Sequence, residues 1–252
     1  MTRYSIRKTL LAGALLTAVP LASCDVQSSL LDAPDPDIIN PVDVQSPEAA
    51  DALRIGAFTR LRLITAGSES VWMFGGLLTD EWKSSDTFSQ RNETDQRSVQ
   101  VNNANVQTMY RDIPRVRTSS REALNALLKF KPNPVSSQAQ MYFAMAFAEM
   151  TLAENFCNGI PLSDASTGVP VYGPPLTNAE VLQQALLHAD SALSLIATAT
   201  DTASGNVRNE ASVTKGRILV DLNRHAEAAT AVANGWTARQ WPRHTSQAPL
   251  PC

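Results

Sequence analysis

Residues 218–228, Ile218-Leu219-Val220-Asp221-Leu222-Asn223-Arg224-His225-Ala226-Glu227-Ala228, predict two helices joined by a tight turn. Asn223 lies between the two helical segments, and asparagine is one of the few residues that readily adopt the left-handed backbone conformation of such a turn. His225 is expected to pack against the partner helix, while Ala228 is small enough to let the helices approach closely. A pair of this kind indicates an all-α fold.

This stretch resembles the helix–turn–helix of the tetratricopeptide repeat, with Asn in place of the usual Gly and His in place of the usual Tyr. Residues 139–156 and 177–196 form a looser pair ahead of it, so two repeats are predicted. Such arrays need about three repeats for a stable stack, and helices within residues 47–130 are expected to cap them. The predicted fold is all-α, with tetratricopeptide-like helix–turn–helix pairs forming an α-α superhelix and an irregular, loop-rich insertion.

The first helix of the domain is predicted from its capping signals. Residues 46–48, Ser-Pro-Glu, combine a capping hydroxyl, a proline at the first helical position and an acid in the first turn. The apolar spacing that follows predicts a helix to about Thr65. The segment 67–105 is polar and irregular, so loops with one short helix at most are expected there.

Later helices are predicted from apolar periodicity. A helix over residues 106–130 should be kinked or split at Pro114. The next helix, apolar on nearly every side, is expected to be capped within the Ser-Ser pair at 136–137 and to be buried between its neighbours. Thr and Glu at the ends of 177–180 form a capping box, and residues 199–207 are predicted to be a polar loop.

Residues 1–23 are typical of a bacterial lipoprotein signal peptide. A basic start is followed by a mostly apolar run over 10–20, which is too short to span a bilayer. Next comes Leu21-Ala22-Ser23-Cys24, which resembles the lipobox and predicts lipidation of Cys24. The alternative is conventional cleavage nearby, with Cys24 left as a plain thiol.

The predicted anchor would hold the protein on the membrane without spanning it, because each buried methylene of an acyl chain contributes about 0.8 kcal/mol. The Pro- and Asp-rich segment 24–46 lacks helical periodicity and is predicted to be a tether. The expected location is the bacterial outer membrane. The leaflet is left open, and Asp25 after the lipidated cysteine retains some bacterial lipoproteins at the inner membrane.

The charge balance argues against nucleic acid as a partner. The chain has 21 Lys and Arg against 24 Asp and Glu, and its leader is basic. Outside the leader no cluster of Lys and Arg offers the footprint that nucleic-acid binding requires. Arg117 and Arg121, one helical turn apart, are expected to join a surface network of ion pairs.

The helical domain is placed at residues 47–234 and is predicted to be incomplete. Residues 235–252 have no apolar period and look like translation of a shifted reading frame after an interrupted repeat. Cys157 is predicted to be a buried thiol, since Cys252 lies far away in this irregular tail.

Three motifs follow the lipobox in a fixed order, ahead of the last helical pairs. They are Gly-Gly-Leu-Leu-Thr-Asp-Glu at 75–81, the segment 110–117, and Ala-Glu-Asn-Phe-Cys-Asn-Gly-Ile-Pro-Leu at 153–162. Together they resemble the SusD/RagB family of outer-membrane nutrient-uptake lipoproteins, over residues 1 to about 234. Members of that family run considerably longer, so the chain looks like an N-terminal portion.

The resemblance implies a surface-anchored lipoprotein that binds a nutrient, with an oligosaccharide favoured over a peptide. It would pass this nutrient to its partner, a SusC-like TonB-dependent transporter, without acting as an enzyme. The first alternative is a tetratricopeptide scaffold whose concave face binds a peptide or protein. A lipoprotein hydrolase is a distant third.

The run Asp80-Glu81-Trp82 is the sharpest candidate for a ligand site. Trp82 would stack on the C–H face of a sugar, while Asp80 and Glu81 accept hydrogen bonds from its hydroxyls. Asn92 and Arg97 belong to the polar run that follows, which would line a ligand cleft or, in the favoured alternative, form a solvated loop.

A structural role for these residues is the alternative, and it is favoured by how often such polar residues cap helices. In this interpretation the glycines at 75–76 form a tight turn and Asp80 or Glu81 caps a neighbouring helix. Trp82 would then be packed in the core.

No catalytic residue, cofactor or metal site is predicted. Asp80 and Glu81 are adjacent and point in different directions, whereas glycoside hydrolysis needs two facing carboxyl groups about 5 to 9 Å apart. His188, His225 and His244 have no second ligand at a helical spacing that would complete a metal site. The sequence also contains no phosphate-binding loop and no nucleophile-elbow motif.

Overall fold

The computed structural model describes residues 45–66, 69–167 and 169–233. In these ranges the chain forms eight helices and one short two-stranded antiparallel ribbon, which confirms the all-α class. The helices are α1 (Pro47–Thr65), α2 (Val71–Leu78), α3 (Ser89–Asp95), α4 (Ala104–Phe130), α5 (Val135–Asn155), α6 (Asn178–Leu195), α7 (Thr202–Asp221) and α8 (His225–Val232). The ribbon pairs β1 (Ile160–Pro161) with β2 (Pro175–Leu176).

The predicted leader, the lipidation site Cys24, most of the tether and the tail 235–252 lie outside the described residues. Among the helices that the structure describes, none has the length and apolar character needed to cross a membrane.

Capping explains where the first and sixth helices begin. The Ser46 side chain accepts a hydrogen bond from the Ala49 backbone N–H at 3.1 Å and starts α1. The capping box at the start of α6 is present, with the Glu180 carboxylate accepting from the Thr177 backbone N–H at 2.7 Å. Both helix starts were predicted and are confirmed.

Helix α4 runs without interruption through Pro114, so the predicted split does not occur. An interior proline costs about 3 kcal/mol, because it removes one backbone hydrogen bond and crowds the preceding turn. Here Ile113 and Val116, on either side of the proline, are fully buried. Burial of this apolar face offsets the local cost and keeps the helix continuous.

Several other predicted boundaries are wrong. Helix α5 begins at Val135, so the Ser-Ser pair at 136–137 lies inside the helix and is buried. The predicted loop over 199–207 is mostly helical, because the Asp201 side chain caps α7 by accepting from the Ser204 N–H at 2.9 Å. Within 67–105 two short helices form, α2 and α3, where one at most was expected.

Helix α5 lies at the centre of the fold. Successive helices from α4 to α8 pack on one another, α5 also contacts α7, and α1 packs along α4. Met141, Met145 and Met150 on α5 are almost fully buried. The expectation that this helix is covered by its neighbours is therefore confirmed.

For the predicted turn between α7 and α8, the backbone conformation is confirmed but the packing of one side chain is not. Asn223 has a φ of 59°, the left-handed conformation that was predicted. Ala228 is buried, and Gly216 on α7 faces the same helix, where an added Cβ would lie 2.6 Å from a methyl of Val232. His225, the first residue of α8, is exposed, so its predicted packing against the partner helix is wrong.

Cys157 is exposed rather than buried. It follows directly after the end of α5, where the chain enters the surface connection that holds β1 and β2. The apolar character of α5 ends before this residue, which is why burial of the helix does not extend to the thiol.

Candidate functional site

A cavity of about 450 Å³ lies where the loop-rich insertion meets the helical core. Its walls come from the end of α1, from α2 with the residues that follow it, from the last two turns of α5 and from α7. The cavity is lined by Ile64, Thr65, Val71, Trp72, Gly75, Gly76, Thr79, Glu81, Phe147, Thr151, Glu154, Asn155 and Arg217.

Two tryptophans mark the α2 side of this cavity. Trp72 lines it, and the Trp82 ring meets the Trp72 ring edge-on, with centroids 5.0 Å apart and planes at 70°. The exposed fractions are 61% for Trp72 and 44% for Trp82. Edge-to-face contact is a preferred geometry for aromatic pairs, so the two rings hold each other while keeping surface open to a ligand.

Gly76 makes the position of Trp82 possible. A Cβ added at residue 76 would lie only 1.7 Å from Cδ1 of the Trp82 indole. The glycines at 75–76 are part of α2 and do not form the tight turn that the structural alternative required. That alternative is also wrong in placing Trp82 in the core, because the ring packs on the helix surface instead.

The predicted candidates Asp80 and Arg97 contact each other outside the cavity lining. Arg97 Nη2 donates to Asp80 Oδ2 at 2.5 Å and its Nε donates to the Leu78 carbonyl at 3.1 Å. Both residues have a positive φ, 62° for Asp80 and 55° for Arg97. This ion pair joins the beginning of the segment between α2 and α4, at Asp80, to the residues that follow α3, at Arg97.

Asn92 stabilises the same loop rather than facing the cavity. Its side-chain oxygen accepts from the Ser84 hydroxyl at 2.5 Å, and its amide donates to the Asp86 carbonyl at 3.2 Å. Of the five predicted ligand residues, Glu81 lines the cavity and Trp82 contacts its lining. Neither Asp80 nor Glu81 caps a described helix, since the neighbouring caps are Ser70, Phe88 and Asn103.

The cavity lining also contains an ion pair that the sequence did not point to. Arg217 on α7 binds Glu154 on α5 through both carboxylate oxygens, at 2.5 and 2.8 Å. Glu154 is 16% exposed and Arg217 61%. An acidic residue in the last turn of a helix is disfavoured by the helix dipole, and this was the only local signal that Glu154 has another role.

Burial raises the pKa of the Glu154 carboxyl, Arg217 lowers it and the neighbouring carboxylate of Asp221 raises it, and the net result is a pKa of about 7. Withdrawal from water disfavours the charged form of a carboxyl group, and here this effect outweighs the guanidinium. Glu154 therefore exchanges its proton near neutral pH at the edge of an open cavity.

A second acidic residue of α5 is fully enclosed. Glu149 accepts from Arg117 Nε at 2.6 Å and from His188 Nδ1 at 2.7 Å, and Arg117 also donates to the Ser163 carbonyl. All three charged or polar side chains are buried. The expectation that Arg117 belongs to a surface network is wrong, because its side chain is buried against Glu149 of α5 and the Ser163 carbonyl. Arg121 does reach the surface, 3.5 Å from Asp164.

In the described part of the chain, no three His, Cys, Asp or Glu side chains are grouped so as to hold a metal ion. Comparison of the chain with protein-family models, with curated proteins and with solved structures found no match. Function is therefore inferred from the cavity and from the sequence motifs alone.

Proposed function

We propose that this chain is the nutrient-binding portion of a surface lipoprotein of the SusD/RagB type, anchored to the outer membrane through Cys24. In this proposal it binds an oligosaccharide in the cavity and passes it to a SusC-like TonB-dependent transporter without chemical change. The observation that carries the proposal is the pair of half-exposed tryptophans, Trp72 and Trp82, at a cavity whose lining includes the carboxylates of Glu81 and Glu154.

The chemistry of the cavity suits a sugar ring. The C–H face of a sugar stacks on an aromatic face, and its hydroxyls need hydrogen-bond acceptors and donors around the ring. Glu81, Glu154 and Asn155 supply such groups from the lining, and Arg217 adds a donor. A volume of about 450 Å³ is within the usual range for small-molecule sites and has room for one or two sugar units.

The proposed architecture is a short superhelix of tetratricopeptide-like helical pairs. Consecutive packing from α4 to α8, together with the additional contact of α5 with α7, supports it. The left-handed Asn223 between α7 and α8 supports it as well. The insertion that holds α2 and α3 then supplies the aromatic wall of the binding site.

A second candidate, the scaffold that binds a peptide or protein, is favoured by a groove of about 420 Å³ between α5 and α7. Phe143, Phe147 and Val213 give it an apolar floor, and Val213 is 55% exposed. Grooves of this kind accept apolar side chains of a partner segment.

The proposal is tested by isothermal titration of the full-length chain in detergent against a panel of soluble oligosaccharides. Trp72→Ala and Trp82→Ala should each weaken sugar binding by about tenfold, on the scale of 1.4 kcal/mol per factor of ten. Tyr172→Ala is the matched control, because this ring is 84% exposed and lies outside the cavity.

Unchanged sugar affinity in both tryptophan variants would remove the cavity from the proposal. Failure of the unaltered chain to bind any oligosaccharide, combined with peptide binding that Val213→Asp abolishes, would favour the scaffold instead.

A further inference from the structure

The charges around the cavity are unbalanced toward the negative. Glu81 reaches it from the segment after α2, Glu154 from the end of α5, and Asp221 lies beside Glu154 at the end of α7. Among the described lining residues Arg217 is the one cation. Two of its donors are already taken by Glu154, and its side chain is 61% exposed, so water screens its remaining charge.

The aromatic part of the lining also favours a positively charged ligand. The face of an indole ring carries partial negative charge and attracts cations more strongly than any other side-chain ring. Trp72 is 61% exposed and lines the same cavity as Glu154 and Arg217. An indole ring and two carboxylates in one lining favour a ligand with a positive group.

We propose that the cavity selects glycans that carry a free amino group, so that the ligand is an amino sugar in its ammonium form rather than a neutral or acidic sugar. This inference rests on the proposed function, because it takes an oligosaccharide as the ligand. The ammonium group contacts the carboxylates of Glu81 and Glu154 while the ring stacks on Trp72. An acidic sugar would have to displace Glu154 from Arg217 and would meet the charge of Glu81.

Proton release from Glu154 on ligand binding distinguishes a residue that contacts the ligand from one that only stabilises the fold. The charged groups that act on Glu154 are Arg217 and Asp221 on α7, and Glu81 belongs to the same cavity lining. A bound ammonium group favours the ionised form of the Glu154 carboxyl. At slightly acid pH the Glu154 carboxyl is protonated and the amino group of the ligand is already an ammonium ion. Binding should therefore release a proton, and the measured enthalpy should change with the ionisation enthalpy of the buffer.

The decisive experiment uses three tetrasaccharides with the same β-1,4 linkage that differ only at C2: glucosamine, N-acetylglucosamine and glucose. They are titrated into the full-length chain in detergent at low salt and slightly acid pH. The glucosamine tetramer should bind about tenfold more tightly than the other two, and added salt should reduce this preference.

Equal affinity for the three tetramers would overturn the inference and leave the proposed function standing. Binding of none of them would also overturn the inference, and the proposed function would fall only if a wider panel of neutral oligosaccharides failed as well. The two failures are thus distinguishable.

Two variants test which carboxylates cause the preference for the glucosamine tetramer. Glu81→Gln and Glu154→Gln should each reduce the ratio of glucosamine-tetramer to glucose-tetramer affinity about threefold or more, because the amide keeps a hydrogen-bond acceptor but loses the negative charge. Glu154→Gln should also abolish the proton release. Asp112→Asn is the matched control, since it removes one negative charge from an ion pair with Arg115 on α4, outside the cavity. A preference that persists in both cavity variants would contradict the proposal.

Discussion

Helix α5 carries two Glu–Arg pairs that have the same chemistry in opposite surroundings. Glu149 is fully buried and its two oxygens are bound by Arg117 and His188. Glu154, five residues further along, faces an open cavity and is bound by the largely exposed Arg217. Both carboxylates have partners, so the presence of an ion pair alone does not distinguish a structural charge from a binding one.

What differs is how completely the surrounding helices cover each carboxylate. Glu149 lies in the middle of α5, where α4 supplies Arg117, α6 supplies His188 and the connection after α5 supplies the Ser163 carbonyl. Glu154 lies at the end of α5, where the cavity opens. The end of α5 is itself held by Asn178, whose amide donates to the Ala153 and Phe156 carbonyls. A rigid helix end thus presents an accessible carboxylate.

The largest effect should come from the enclosed pair. Glu149→Ala should lower the free energy of unfolding by about 3–5 kcal/mol, because it leaves Arg117 and His188 buried without their acceptor. Urea denaturation followed by far-UV circular dichroism measures this change. Glu154→Ala is the matched control on the same helix and should cost about 1 kcal/mol or less. Similar losses in the two variants would contradict the distinction between the pairs.

The sequence correctly predicted those features of the fold that depend only on residues close together in the chain. The caps at Ser46 and Thr177 and the left-handed turn at Asn223 depend on a few neighbouring residues, and all three are confirmed. The start of α5 was misplaced because Pro134, with no capping side chain, precedes it. The burial of apolar residues around Pro114, which keeps α4 whole, is a tertiary effect that a local rule does not contain.

For the same reason, only part of the candidate site could be predicted from the sequence. Glu81 and Trp82 are adjacent in the chain and were recognised together. Glu154 and Arg217 are separated by 63 residues and meet only because α7 packs on α5, a contact that no spacing rule encodes. The contact of Trp82 with the backbone at Gly76 likewise depends on how the chain returns after α2.

The pH dependence of stability should report the titration of Glu154, with an effect smaller than the loss expected for Glu149→Ala. The folded chain keeps the Glu154 proton up to about pH 7, whereas the unfolded chain releases it near the ordinary value of 4.5. Between these values the folded state binds more protons, so this residue lowers stability as pH rises, and above about pH 7 its contribution is constant.

Glu154→Gln removes this titration. The stability of the variant relative to the unaltered chain should therefore increase between about pH 5 and pH 8, by about 1 kcal/mol once solvent access is taken into account. Thermal melts at the two pH values measure it. Other carboxyls with a raised pKa, such as Glu122 and Glu210, are present in both proteins and cancel in the difference. A constant difference would show that Glu154 titrates normally.

The smallest effect on stability should come from the exposed partner of Glu154. Arg217→Gln removes a guanidinium that is largely in water, and exposed ion pairs contribute about 0.2–1 kcal/mol. The same change should raise the pKa of the Glu154 carboxyl further, since Arg217 is the group that lowers it against burial and Asp221. Carbon-13 NMR of the side-chain carboxyl measures this shift directly. If Arg217→Gln instead destabilised the fold as much as Glu149→Ala, the open pair would be part of the packing between α5 and α7, and its carboxylate would not be free to exchange the guanidinium for a ligand.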